Sequence, residues 1–368
     1  MRVSSLALIN YRNYDQLDLH LSSGITLFIG KNGQGKTNLV EAIRYCSTLS
    51  SHRSPTSALI AADSDQAHIG LGLENDGKTL KLGIELNRTG SNRHSVNGNL
   101  VRKSSEILGG LTTVIFSPED IDLIRKDPST RRAFLNDLSV QLRPAYFQTL
   151  SDYERVLKQR NTLLKSARGK SVDMSTLELW DEQLIALASQ IIENREQLIS
   201  SLLPLLKQKY ANISNSKPEI DLFQISSINV DYRQLETDQI KEHLRLALDS
   251  VRQNELDRGV TLIGPQRDDL QITLSGLSSK EHSSQGEAWS LALSMKLASA
   301  ELIAESSATG KPVIILDDVF SVLDAERRKA LTEFMNSYEQ VLITAAVEED
   351  VPLTSNTSKF IVEGGRVE

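Results

Sequence analysis

The sequence predicts an α/β fold in which both chain ends build one domain, with a mainly α-helical domain inserted between them. Three observations carry this. Short strand-like apolar runs crowd residues 1–117 and return in 259–368. Residues 118–258 between them read mainly as helix. The length, 368 residues, exceeds one ordinary domain.

The elements follow in order. Val3 to Ile9 is apolar, and Leu17, Leu19 and Leu21 alternate with polar residues, the period of a half-buried strand. ITLFI at 25–29 is a third strand; glycine follows at once, and a helix is expected from about Lys36 to Leu49. Further strands are expected at HIGLGL from His68, LKLGIEL from Leu80 and TTVIF from Thr112, with Asn97-Gly98 as a hairpin turn. SPED at 117–120 marks a helix start, with Ser117 as cap and proline at the first position. Helices are expected over 129–142, 144–168, 175–203 and 237–257. In the third, Leu177, Trp180, Leu184, Leu187, Ile191 and Ile192 keep one face apolar. NISNSKP near 212–218 reads as a loop. Strand texture resumes with DLQITL at 269–274, and a helix is expected from about Gly286 to Ala304. VIIL at 313–316 is a buried strand, a helix follows from Asp324, and QVLIT at 340–344 and KFIVE at 359–363 are the last strands.

Composition narrows the class. The apolar fraction of 39% supports packed cores. A net charge of −7 and a pI near 5.6 exclude a bulk polycation, so any nucleic-acid binding needs a local basic face. The single cysteine, Cys46, is expected to be buried in the first helix as a small apolar residue, with no disulfide. The N-terminal apolar run LALI is too short for a signal-peptide core, and no run of 18 apolar residues appears. These features predict a reducing, cytoplasmic compartment and no membrane.

Gly30-Lys31-Asn32-Gly33-Gln34-Gly35-Lys36-Thr37 fits G-x-x-x-x-G-K-[ST] without a mismatch, between a strand and a helix. Glycines let the backbone turn its N–H groups inward onto phosphate oxygens, and the helix N-terminus adds partial positive charge. Lys36 would reach the β- and γ-phosphates of ATP, and Thr37 would ligate Mg²⁺. VIILDD at 313–318 has the form of its acidic partner, a Walker B strand. Asp317 would join the Mg²⁺ shell and Asp318 would orient or activate the attacking water. FSVLD at 320–324 resembles the loop that follows this strand in ABC-type ATPases. The long separation of lysine loop and Asp317, filled by a helical insert, is that of SMC and ABC-type heads.

Ser283-Ser284-Gln285-Gly286-Glu287 precedes a helix and resembles the ABC signature. Ser284 and Gly286 at this helix start would bind an anion. An ordinary capping box, with Ser284 as cap and Glu287 three residues on, would give the same residues. In ABC heads the signature completes the ATP site of a partner head, so one copy of each element per chain implies an ATP-dependent homodimer.

The chain is identified as resembling the RecF family of SMC-like ATPases. The matching stretches are NYRNY at 10–14, GKNGQGKTNLVEAI at 30–43, SHR at 51–53, SVNG at 95–98 and FSPED at 116–120. They continue with RRAFLND at 131–137, LKQRN at 157–161, IGPQRDDL at 263–270, the signature, and LDDVFSVLD at 316–324. The resemblance implies an ABC/SMC-type ATPase head over 1–117 and 259–368 and an arm over 118–258. It also implies an ATP-driven dimer that binds gapped or junction DNA, works with RecO and RecR to load RecA, and hydrolyses ATP weakly. Asp318 stands where most ABC ATPases have glutamate, and its shorter side chain fits slow hydrolysis. Thr344 stands where ABC heads carry a switch histidine. Glu119 is a candidate to replace the absent glutamine of the Mg²⁺-sensing loop, and Glu287 ends the signature in place of glutamine.

Arg155, Lys158, Arg160, Lys165, Arg168 and Lys170 have no acidic residue between them and form a candidate DNA-backbone face on a helix. A solvated helix face is the bland alternative. Arg88, Arg93, Arg102 and Lys103 form a second basic group, and Arg131 with Arg132 a third. Other readings are a RecN-like head, which needs a longer coiled coil than 118–258 offers, and a small-molecule kinase, which the signature and the distant Walker B strand disfavour.

Overall fold

In the computed structural model the described residues are all but 52, 76, 167–173, 215–217, 308–309 and 353–356. They fall into two units. Met1–Ile121, Gln208–Ser216 and Trp289–Glu368 form the first; Asp122–Lys207 and Lys217–Ala288 form the second.

The first unit holds two six-stranded sheets. One is antiparallel, built from β1 (Arg2–Tyr11), β2 (Tyr14–His20), β4 (Gln66–Asn75), β5 (Lys78–Asn87), β6 (Arg93–Val96) and β7 (Asn99–Leu100), in the order β2-β1-β4-β5-β6-β7. Asn97 and Gly98 join its last two strands with φ of 52° and 81°, the left-handed pair that a two-residue hairpin turn demands. The second sheet contains β3 (Gly24–Ile29), β8 (Thr113–Phe116), β12 (Val313–Asp317), β13 (Gln340–Ala345) and β14 (Ser358–Glu363), all parallel, with β15 (Arg366–Val367) antiparallel at its edge. Its order is β15-β14-β3-β13-β12-β8. β8, β12 and β13 are buried along their whole length, which explains why they read as unbroken apolar runs rather than alternating ones.

Helix α1 (Lys36–Thr48) packs against strands of both sheets. Almost every residue in it is buried, including Leu39, Val40, Ile43 and Cys46. Cys46 is thus a core residue, and burial pushes its thiol up to about 12. The buried Glu41 is neutralised by Arg12, whose Nε and Nη2 donate to its two oxygens at 3.0 and 2.9 Å. Most of α8 (Gln285–Ser306) and all of α9 (Ala325–Met335) complete this unit.

The second unit contains α2 (Asp122–Arg125), α3 (Pro128–Leu142), α4 (Tyr146–Ser166), most of α5 (Met174–Ser214), α6 (Thr237–Arg258) and α7 (Ser279–His282). It also carries a small antiparallel sheet, β9 (Ile220–Ile225), β10 (Asp269–Leu274) and β11 (Leu277–Ser278), in the order β11-β10-β9. Two features depart from the sequence reading. β9 lies inside the stretch expected to be mainly helical; its Ile220, Leu222 and Gln224 are buried in alternation. Helix α5 does not stop near residue 203 but passes Pro204, because Leu202, Leu206, Tyr210 and Ile213 continue a buried stripe at helical spacing.

Candidate nucleotide-binding site

The loop between β3 and α1 lies at the carboxyl end of the parallel sheet, where open α/β sheets bind ligands. Gly35 has φ of 115°, and a Cβ there would lie 2.7 Å from Asn13 Nδ2 and 2.8 Å from Tyr14 Oη, so only glycine fits. Lys31, Asn32 and Gly33 are exposed at the tip, and Gln34 is half-buried. The back of the loop is held by its carbonyls. Asn13 Nδ2 donates to Gln34 O at 3.0 Å, Tyr14 Oη to Gly35 O at 3.1 Å, and Gly365 N to Gln34 O at 3.2 Å.

The buried Lys36 donates from Nζ to Gly30 O at 2.8 Å and to Lys31 O at 3.3 Å, and lies 3.9 Å from Asp318 Oδ2. Thr37 Oγ1 donates to Asp317 Oδ1 at 2.8 Å. Residues 280 positions apart in the chain thus meet at one point. Burial raises the Asp317 carboxyl above its ordinary range, and the hydroxyls of Thr344 and Thr37 partly counter this. Asp318 has a left-handed backbone, φ 49°, and its side chain is about one-third exposed. Lys36, Thr37, Asp317 and Asp318 are therefore brought together as one cluster.

The signature residues lie in the second unit, at the start of α8. Ser284 N and Oγ both donate to Glu287 Oε2 at 2.8 Å, and Glu287 N donates to Ser284 Oγ at 3.2 Å. This is a complete capping box. It fixes an exposed Ser284 at the helix N-terminus, with Gly286 in the first turn.

The basic candidates divide. Arg155, Lys158 and Lys165 are exposed on α4, with Arg155 paired to Asp152 at 2.8 Å. Arg160 does not join them. Its side chain is 0% exposed, and it donates to Asp181 Oδ1 at 2.6 Å, Glu255 Oε2 at 2.6 Å and Thr261 Oγ1 at 2.9 Å. A guanidinium spent on two buried carboxylates cannot contact DNA, so Arg160 is a core residue. Arg168 and Lys170 lie outside the described residues. In the other groups, Arg131 is buried against Asp269 and Arg132 donates to Asp268 O, which removes Arg131 from the surface. Arg88 caps the carbonyls of Ser64 and Ala61, whereas Arg93, Arg102 and Lys103 are exposed.

Several residues here were not singled out by sequence. Asn13 and Tyr14 sit in the NYRNY stretch, whose match to relatives was visible but whose contact with the loop was not. In FSPED the exposed residue is Glu119, while Asp120 is buried, pairs with Lys296 Nζ at 2.9 Å and accepts from Ser117 N at 2.9 Å. Among the described residues no helix is long and apolar enough to cross a membrane.

The RecF/RecN/SMC N-terminal domain model matches residues 2–365. A DNA replication and repair protein RecF from Clavibacter sepedonicus is 45% identical over 372 residues, covering 96% of this chain and 91% of that protein. Two solved structures of the recombination mediator protein RecF in the RecFOR pathway, one RecF-ATPrS and one RecF-ATP, superpose with TM-scores of 0.90 and 0.86. Each is 32% identical to this chain and covers all of it, and 97% and 98% of those chains are covered in turn.

Proposed function

This chain belongs to the RecF family, and from that membership we propose an ATP-switched DNA-binding protein of replication and repair that acts in a RecFOR pathway. The observation that carries the site assignment is the 2.8 Å contact of Thr37 Oγ1 with Asp317 Oδ1, beside the buried Lys36. It joins the loop lysine, a hydroxyl and two carboxylates at the end of one parallel sheet.

Backbone N–H groups within the loop Gly30 to Thr37 bind the ATP phosphates, with Lys36 on the β- and γ-phosphates. The donor set of the Thr37 hydroxyl and the Asp317 carboxylate is hard oxygen, which suits Mg²⁺. When bound, Mg²⁺ neutralises phosphate charge during transfer. Asp318 accepts a hydrogen bond from the attacking water and holds it in line. An aspartate reaches less far than glutamate, so hydrolysis is weak and works as a timer. Ser284 and Gly286 of a second copy complete each site, so ATP holds a homodimer closed and hydrolysis releases it. For function we take the head as 1–117 and 259–368 and the arm as 118–258, with the stretch 259–288 and its signature serving the head although it belongs to the second unit by packing.

DNA is bound through its backbone, by Arg155, Lys158 and Lys165 on the arm, with Arg93, Arg102 and Lys103 as a further group. RecO and RecR are the protein partners, and the assembly acts at the nucleoid, where it helps load RecA. The test is size by light scattering, with and without Mg·ATP, on wild type, Lys36→Ala and Ser284→Arg. Dimerisation only with Mg·ATP, lost in both variants, is expected. A Ser284→Arg protein that dimerises like wild type would reduce the signature to a helix cap.

A further inference from the structure

β13 lies between β3 and β12 in the parallel sheet, so its carboxyl end stands between the phosphate loop and the two aspartates. In register, Thr344 pairs with Asp317 on one side and Phe28 on the other. Its side chain is buried. Its Oγ1 donates to Asp317 Oδ1 at 2.6 Å and accepts from Asp318 N at 3.0 Å. Asp318 N also reaches the Thr344 carbonyl at 3.2 Å.

A hydroxyl has one proton to give. Here it goes to Asp317 and is not available for a substrate. Asp317 Oδ1 then holds two hydroxyl donors, Thr344 on one side and Thr37 on the other. Oδ2 of Asp317 is left as the oxygen free of both. The bond from Asp318 N fixes the residue that carries the second carboxylate, at a backbone φ of 49° that a non-glycine residue rarely adopts. One side chain thus sets the rotation of one carboxylate and the departure angle of the next.

Given the Mg·ATP site proposed above, on which this rests, we infer that Thr344 is a positioning residue. Its hydroxyl orients Asp317 toward the metal and aims Asp318 at the water, through hydrogen bonds made wholly within the protein.

The test compares the full chain as wild type, Thr344→Val and Thr344→Ser. A fluorescent ATP analogue is titrated without metal and then with increasing Mg²⁺, and ATP turnover is measured in parallel. Valine keeps the shape and removes the hydroxyl; serine keeps the hydroxyl. The Thr344→Val protein is expected to bind the analogue normally without metal, because Lys36 and the loop are untouched. It should need about fivefold more Mg²⁺ for half-maximal response, the effect of losing one or two ordinary hydrogen bonds. Turnover should fall by about tenfold, with the larger share in kcat. Serine should recover most of both. Equal Mg²⁺ response in wild type and Thr344→Val would overturn the assignment, as would a serine variant as impaired as valine, or loss of metal-free binding in Thr344→Val. A wild-type protein that does not bind the analogue at all would instead remove the ATP site itself.

Discussion

Gln34 Oε1 accepts a hydrogen bond at 2.7 Å from the backbone N–H of Gly364, which lies 330 residues further along the chain. The next residue, Gly365, donates to the Gln34 carbonyl. A loop residue whose neighbours should face phosphate therefore turns its own side chain outward, onto the hairpin between β14 and β15. With Asn13 and Tyr14 on the other side, the carbonyls of Gln34 and Gly35 are held outside the pocket, while those of Gly30 and Lys31 accept from the Lys36 ammonium.

Gly365 should be needed for this clamp. It has φ of 77°, and a Cβ there would sit 2.2 Å from Asn13 O. Gly365→Val is expected to displace the hairpin and weaken ATP binding by about tenfold, the loss of one to two hydrogen bonds that hold the loop in shape. Equilibrium binding of a fluorescent ATP analogue checks this; unchanged affinity would mean the loop keeps its shape without the clamp.

Arg160 and the exposed lysines of α4 should respond in opposite ways. Arg160→Met leaves Glu255 buried without its ionic partner and Asp181 with Arg252 alone, and is expected to cost about 3–5 kcal/mol of stability. Lys158→Glu with Lys165→Glu should change stability by less than about 0.5 kcal/mol. It should weaken DNA binding, and the log–log salt dependence should flatten by about 0.9 per lost phosphate contact. Urea denaturation and DNA titrations at several salt concentrations separate the two. Charge reversal that leaves DNA affinity intact would take α4 out of the interface.

The burial of Arg160 had a signal in the sequence that charge obscured. Tyr153, Val156, Arg160 and Leu164 are spaced by three, four and four residues and form the buried stripe of α4. Its acidic partners lie 21 and 95 residues away, on other helices, so the pairing itself needed the fold. β9 was missed for a related reason: a single short alternation inside a helical stretch carries less weight than the helices around it. The phosphate loop and the β12 strand were legible because their chemistry is local in sequence. The missing histidine at Thr344 was legible too, but the hydroxyl's partners depend on β13 lying between β3 and β12, which is a fact of topology.

The half-buried Lys296, paired with the buried Asp120, ties α8 to the end of β8. Lys296 Nζ also donates to Ile115 O at 3.1 Å. Burial raises the Asp120 carboxyl, and the nearby Lys296 ammonium partly counters this. Lys296→Met should remove the carboxylate's ion-pair partner and cost about 3–5 kcal/mol. Adding Asp120→Asn keeps an acceptor for Ser117 N and removes the charge, so the double variant should recover a large part of the loss in urea denaturation. A double variant no more stable than Lys296→Met would show that packing of the lysine stem, not charge, holds the helix.

The capping box of Ser284 and Glu287 should make stability depend on pH in one direction. The N–H and hydroxyl of Ser284 both donate to the Glu287 carboxylate and hold its carboxyl below the ordinary value of 4.5. A group depressed in the folded state stabilises above its unfolded value, and that contribution is lost as pH falls through the lower, folded one. Glu287→Ala should therefore melt below wild type at pH 7, and the two curves should converge in acid below pH 4.5. Thermal melts across this range check it. A difference that persists unchanged into acid would mean that Glu287 supports the helix start by packing rather than by charge, and Ser284 would then be free to turn toward a phosphate without giving up a charged partner.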